Sequence, residues 1–129
     1  MEYVELGEYG KKIMEFWESE NSPQRELSSE SIEILKTINK TFNNSENKAD
    51  RDKNIRSNLL NLAKFYVSLF REEKDGKVIQ KQIIIDPDEI RKLFAPYGYD
   101  KTNVVEFYDL SGELNDKVFE LVKEQMKAL

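Results

Sequence analysis

Asp86, Asp88 and Glu89 crowd around Pro87 and are the densest group of possible ligands in the chain. Oxygen donors of this kind suit Mg²⁺. No further donors follow at a recognisable spacing, and all three have a structural use. At the start of a helix a carboxylate accepts from unpaired N–H groups and sits favourably at the positive end of the helix dipole. Asp50 and Asp52 read the same way, as a helix start closing a polar loop. No metal and no cofactor are expected.

The chain has no histidine and no cysteine among its 129 residues. Histidine is the usual acid–base group near neutral pH, so Ser-His-Asp chemistry is excluded. Without thiols there is no disulfide framework, cysteine-ligated zinc, iron–sulfur cluster or thiol nucleophile. Tyrosine, lysine, serine and carboxylates remain for acid–base work, but no spacing groups them for it. The five glycines are scattered, with no Gly-x-Gly to cradle a phosphate. The expectation is a protein that is not an enzyme and acts by contact.

Two stretches carry charge that a partner would feel. Residues 1–33 hold nine acids and three bases, net −6; residues 34–85 hold eleven bases and six acids, net +5; residues 86–129 hold ten acids and six bases, net −4. In the first acidic stretch Glu15, Glu18 and Glu20 surround Phe16 and Trp17. Acidic groups around an aromatic anchor suit capture of a basic protein surface, since opposite charge speeds encounter and the aromatic supplies binding energy. Tyr97 and Tyr99, on a Pro/Gly loop, are further contact candidates. The preferred function is that of an acidic adaptor, or an inhibitor or immunity-type protein, masking a basic surface. The competing role for Phe16 and Trp17 is core packing, because they fall on a stripe at helical spacing, and that for Tyr97 and Tyr99 is to cover the end of the core.

The basic middle supports a second reading. Lys48, Arg51, Lys53 and Arg56 cluster at a helix start, and Lys64, Arg71, Lys74, Lys77 and Lys81 follow. Three helices followed by a basic hairpin is an order that resembles a winged helix, and would imply nucleic-acid binding. Against it, the connection before the third helix, about eight residues, is long for a helix-turn-helix. Asp50, Asp52, Glu72, Glu73 and Asp75 also interleave with the bases. A third reading is a structural subunit, with exposed parts of the stripes on the third and last helices packing against another copy.

Length and composition predict the frame that holds these groups: one domain, α+β and mainly helical, with about five helices and a sheet of two or three strands. The N-terminus lacks the apolar stretch of a signal peptide, and no apolar run approaches the ~18 residues of a membrane span. A cytoplasmic location is the expectation.

The first helix is predicted over about 8–20, burying Tyr9, Ile13, Phe16 and Trp17, and ending at Asn21-Ser22-Pro23. A second follows a Ser28 or Ser29 cap to about Phe42, with Ile34, Leu35 and Ile38 inward. A third runs from about 52 to 71, with Ile55, Leu59, Leu62, Ala63, Tyr66, Leu69 and Phe70 on one face and Ser57, Asn61, Lys64, Ser68 and Arg71 on the other. The alternative stops it near Lys64 and begins a hairpin around Asp75-Gly76. Lys77–Ile85 reads as a strand, pairing with 103–110, 65–72 or 3–6. A short helix capped by Asp86 ends before Pro96. Asn103–Leu110 reads as a strand broken by Ser111-Gly112, with a helix as the alternative. A last helix over about 113–128 buries Leu114, Val118, Leu121, Val122 and Leu129, with a Glu113–Lys117 pair. Further core members are Ile83, Ile85, Val105 and Phe107.

Overall fold

The computed structural model describes residues 3–20 and 27–127. Among these, a 3-10 turn (Tyr3–Leu6) leads into α1 (Gly7–Ser19), followed by α2 (Ser29–Thr41), α3 (Lys48–Ser57) and α4 (Leu59–Ser68). The hairpin β1 (Arg71–Lys74) and β2 (Lys77–Gln80) comes next, then α5 (Pro87–Arg91), a 3-10 segment (Lys92–Tyr97) and α6 (Val104–Lys127). The mainly helical α+β class is as the sequence predicts, with six helices and a two-stranded sheet. Asn21, Ser22 and Pro23, the predicted end of the first helix, and Leu129 lie outside the described residues.

The caps follow local chemistry. Ser28 Oγ accepts from Ser31 N, Asn47 Oδ1 from Asp50 N, and Asp86 Oδ1 from Asp88 N, each satisfying a donor that the first helical turn leaves open. The core joins Leu6, Tyr9, Ile13, Leu35, Ile38, Leu62, Phe65, Ile90, Phe94, Phe107, Leu114 and Val118, drawn from every helix but α3, which adds Ile55.

The predicted third helix is two helices. Asn58 leaves helical geometry (φ −106°, ψ 3°), and its N–H bonds to Ile55 O, the tighter i−3 link. Its buried amide accepts from Thr41 Oγ1 at 2.7 Å, and Asn58 Nδ2 lies 3.4 Å from Tyr97 Oη. Tertiary hydrogen bonds at Asn58 thus interrupt the apolar periodicity. Ser68, expected on a polar face, is fully buried, because α4 packs against both α2 and α6.

The hairpin exists, but it starts after α4 and not inside it. Its register pairs Lys74 with Lys77 across Asp75-Gly76. Both turn residues have positive φ (53° and 76°), the conformation that matches a two-residue turn to strand twist. The expected strand over 77–85 ends at Gln80. Beyond it Ile83 and Ile85 pack on the core while Ile84 faces out, its carbonyl accepting from Tyr66 Oη at 2.6 Å.

Over 103–110 the preferred strand does not form and the helix alternative holds from Val104 on: α6 runs unbroken through Ser111 and Gly112. Phe107, Leu110, Ser111, Leu114 and Val118 make one buried stripe across the supposed break. Ser111 Oγ donates to Tyr108 O and accepts from Arg91 Nε, so it is tied into the helix and to α5. Val105, placed in the core by the strand reading, is 90% exposed. Glu113 does not pair with Lys117: it binds Arg56 at 3.1 Å, and Lys117 turns to Glu120. The 3-10 segment also carries the chain past Pro96, where a stop was expected.

Candidate functional site

The six residues proposed from sequence for partner binding do not form one surface. Glu15 and Glu18 are exposed on α1, with Lys11 at 4.0 Å from Glu15. Trp17 is 7% exposed and stacks on Phe65 at 6.1 Å between ring centres. Tyr97 and Tyr99 are buried, Tyr97 edge-on to Phe42 at 4.9 Å and Tyr99 edge-on to Phe107 at 5.7 Å. All three aromatics are core: Trp17 because the α1 stripe at helical spacing faces inward, and Tyr97 and Tyr99 because they close the end of the core. Glu20, 9% exposed, lies between Lys92 at 2.9 Å and Lys101 at 2.8 Å. Burial alone would raise its pKa, but hydrogen bonds from Lys101 and Lys92 outweigh that and hold the carboxyl below its ordinary range.

The basic residues divide into two groups at opposite ends of α4. Ten residues of helix separate them by ~15 Å. On α3, Lys48 and Lys53 are exposed, whereas Arg51 pairs with Asp52 at 3.1 Å and lies over the Phe107 ring at 4.4 Å. Arg56 forks onto both carboxylate oxygens of Glu113. At the hairpin, Lys74 and Lys77 are exposed cross-strand neighbours, and Lys81 pairs with Glu72 at 3.3 Å. Lys64 is exposed on α4, and Arg71 binds Glu30.

The carboxylates around Pro87 have protein partners. Asp86 caps α5, Asp88 pairs with Arg91 at 3.0 Å and Glu89 with Lys92 at 2.7 Å. Among the described residues no group of three or more metal-binding side chains converges. No helix among them is long and apolar enough to cross a membrane.

An open cleft of about 430 Å³ lies between the start of α2 and the hairpin. Its polar side is a serine chain: Ser28 Oγ and Ser31 Oγ are 3.1 Å apart, Ser31 Oγ and Ser68 Oγ 2.8 Å, and Ser68 Oγ donates to Phe65 O at 2.6 Å. These hydroxyls spend their hydrogen bonds on one another and on the backbone, which joins α2 to α4. A second cleft of about 450 Å³, more apolar, separates α2 and α4 from the end of α6.

A different surface emerges from the helix that the sequence reading had split. Along α6, Val105, Tyr108, Gly112, Asn115, Phe119, Val122 and Met126 recur at alternating steps of three and four. This stripe is offset by one residue, or ~100° of helix rotation, from the buried Phe107–Ser111–Leu114–Val118 stripe. Four of its apolar members face outward, with Val105 90% exposed, Tyr108 67%, Phe119 48% and Met126 68%, whereas Asn115 is half-buried and Val122 packs against the core. A Cβ at Gly112 would meet nothing within 4 Å, so the middle of the stripe is open. Glu106, Asp109 and Asp116 flank its first half. The signal was in the sequence, as an uninterrupted three–four spacing, but was lost by reading Gly112 as a break.

Compared with known proteins, the chain matches no family model, no curated protein and no solved structure.

Proposed function

We propose that the protein is a non-enzymatic binding module that engages a partner protein through the outer face of α6. The observation that carries this reading is the outward stripe of Val105, Tyr108, Phe119 and Met126. A soluble helix needs one apolar face for its own fold, and α6 has a second. Its first half, residues 104–116, carries four acids and no base. That rim suits basic groups on the partner and keeps the electrostatic part of the original expectation, moved from α1 to α6. The adaptor, inhibitor and immunity-type roles all remain forms of this one activity.

The test is a pair of exposed-site variants, Tyr108→Glu and Phe119→Glu, in the full chain. Both should keep helical circular dichroism and lose the bound partner in affinity capture. Unchanged capture by both would dispose of the α6 reading. Nucleic-acid binding is the weaker alternative, supported by exposed Lys48, Lys53, Lys74 and Lys77. A polarisation titration with duplex DNA and RNA at low salt addresses it directly, since each phosphate contact with duplex DNA adds ~0.9 to the salt slope.

A further inference from the structure

The geometry points to a second copy of this chain as an occupant of the α6 face, docked antiparallel to the first; this rests on the reading of that face as a protein-binding surface. Three features of the helix support it.

The first is spacing. An alternation of three and four residues is the pattern by which two helices interlock side chains along a shared seam. Here it holds from Val105 to Met126 without interruption, over 22 of the 24 residues of a helix ~36 Å long. In the antiparallel register that overlaps the stripes most fully, Tyr108 meets Met126 of the second copy, Gly112 meets Val122 and Asn115 meets Phe119. The open space at Gly112 admits close approach of the facing helix.

The second is charge. Residues 104–116 of α6 carry Glu106, Asp109, Glu113 and Asp116, whereas residues 117–127 carry Lys117, Lys123 and Lys127 against Glu120 and Glu124. The first half is −4 and the second +1. With Glu113 already held by Arg56, a parallel pair would set Glu106, Asp109 and Asp116 beside the same three acids of the second copy. The antiparallel pair sets Asp109 beside Lys123 of the second copy, twice by symmetry, with Glu106 and Lys127 beyond them. Asp116 comes near its own symmetry mate, one unfavourable contact that the crossed pairs offset.

The third is the state of Lys123 in the protomer. Its ammonium lies 4.7 Å from the centre of the exposed Phe119 ring. The lysine is already at the edge of the stripe, placed to reach across to an acidic flank.

The chain has no cysteine, so introduced thiols report arrangement without interference. The double variant Tyr108→Cys/Met126→Cys should form disulfide-linked dimers on mild oxidation. The single variants should not, because residue 108 and its symmetry mate are ~27 Å apart in the antiparallel pair, well beyond the ~7 Å limit between disulfide-bridged Cα atoms. Sedimentation equilibrium of the unmodified chain should show a dimer. Asp109→Lys alone and Lys123→Asp alone should each raise the dissociation constant several-fold, and the two together should restore it. Self-linking by Tyr108→Cys alone, or a strict monomer at millimolar concentration, would overturn the proposal. A monomer whose Phe119→Glu variant loses a different protein partner overturns self-association only and leaves α6 as the binding face. A monomer in which Phe119→Glu changes nothing removes both.

Discussion

The Tyr97 hydroxyl donates to Asn54 Oδ1 at 2.9 Å, bridging 43 residues of sequence and tying the segment after α5 to α3. The same oxygen lies within reach of Asn58 Nδ2, and Asn54 Nδ2 donates to Thr41 O at 2.7 Å. One phenol thus anchors the junction where α3 gives way to α4. Tyr97→Phe removes the shared atom and leaves the Asn58 amide short of a partner inside the fold. The expected cost is ~1–3 kcal/mol, the usual penalty for a buried polar group left unpaired, read as a lower denaturant midpoint at unchanged slope.

Burial pushes the Tyr97 phenol up from 10.0 to about 12, against a small opposing effect from Asn58. Tyr9, fully buried with its hydroxyl on Leu93 O at 2.7 Å, is also held well above its ordinary value, by burial and by Tyr97 beside it. The sign follows from proton counting. Above pH 10 the unfolded chain loses these protons while the folded chain keeps them, so stability falls with rising pH. It should be intact below pH 10 and fall between 10 and 12, by up to ~1.4 kcal/mol per pH unit for each tyrosine. A pH series of urea titrations checks this, and Tyr97→Phe should make the decline shallower.

Glu20 predicts the opposite limb. Lys92 and Lys101 hold its pKa below the ordinary 4.5 despite burial, so the unfolded chain takes up this proton first as pH falls. The stability it contributes is complete above the unfolded value and lost as pH drops through the depressed folded value. Glu20→Gln should cost on the order of 1 kcal/mol at pH 7. Its thermal midpoint should converge with that of the parent chain below pH 4. A constant difference across the acid range would show that Glu20 acts by packing alone.

Much of the fold was legible because local chemistry and tertiary packing agree there. Ser28, Asp86-Pro87 and Asp75-Gly76 each announce a cap or turn, and each is found in that role. Where they disagree, packing wins. Asn58 breaks a periodic apolar run because Thr41 and Tyr97, distant in sequence, claim its amide. Val104, Val105, Phe107 and Tyr108 favour strand by type, yet a stripe completed only by Leu110, Leu114 and Val118 makes them helix. The candidate site was hidden by the same error. Trp17 has the residue type of an anchor, but its place on the α1 stripe at helical spacing marks it as core, which is where it lies.

Trp17 separates the two surfaces experimentally. If it were a contact residue, truncation would lower partner affinity and spare the fold. Its stacking on Phe65 makes it core, so Trp17→Ala should destabilise by ~3–5 kcal/mol, as large-to-small changes at buried aromatics do. Trp17→Phe should cost less and leave partner capture unchanged. As the chain's one tryptophan, it should also emit at short wavelength when folded and shift to the red on unfolding.

Two glycines should respond to alanine with opposite signs. Gly76 sits in the hairpin turn at φ +76°, where a side chain is strained, and Gly76→Ala should destabilise by ~1 kcal/mol. Gly112 lies inside α6, outside the positive-φ glycines, with nothing within 4 Å of where its Cβ would be. Gly112→Ala should therefore stabilise the protomer by ~0.5–1 kcal/mol, the difference in helix propensity. Chemical denaturation resolves both, provided the dimer and monomer contributions are separated by working at several protein concentrations. The Gly112 variant is the sharper of the two. A strand over 103–110 ended by a glycine turn would lose stability on gaining a methyl group there, whereas a continuous helix gains it. The outward stripe has its three–four spacing only if that helix is continuous.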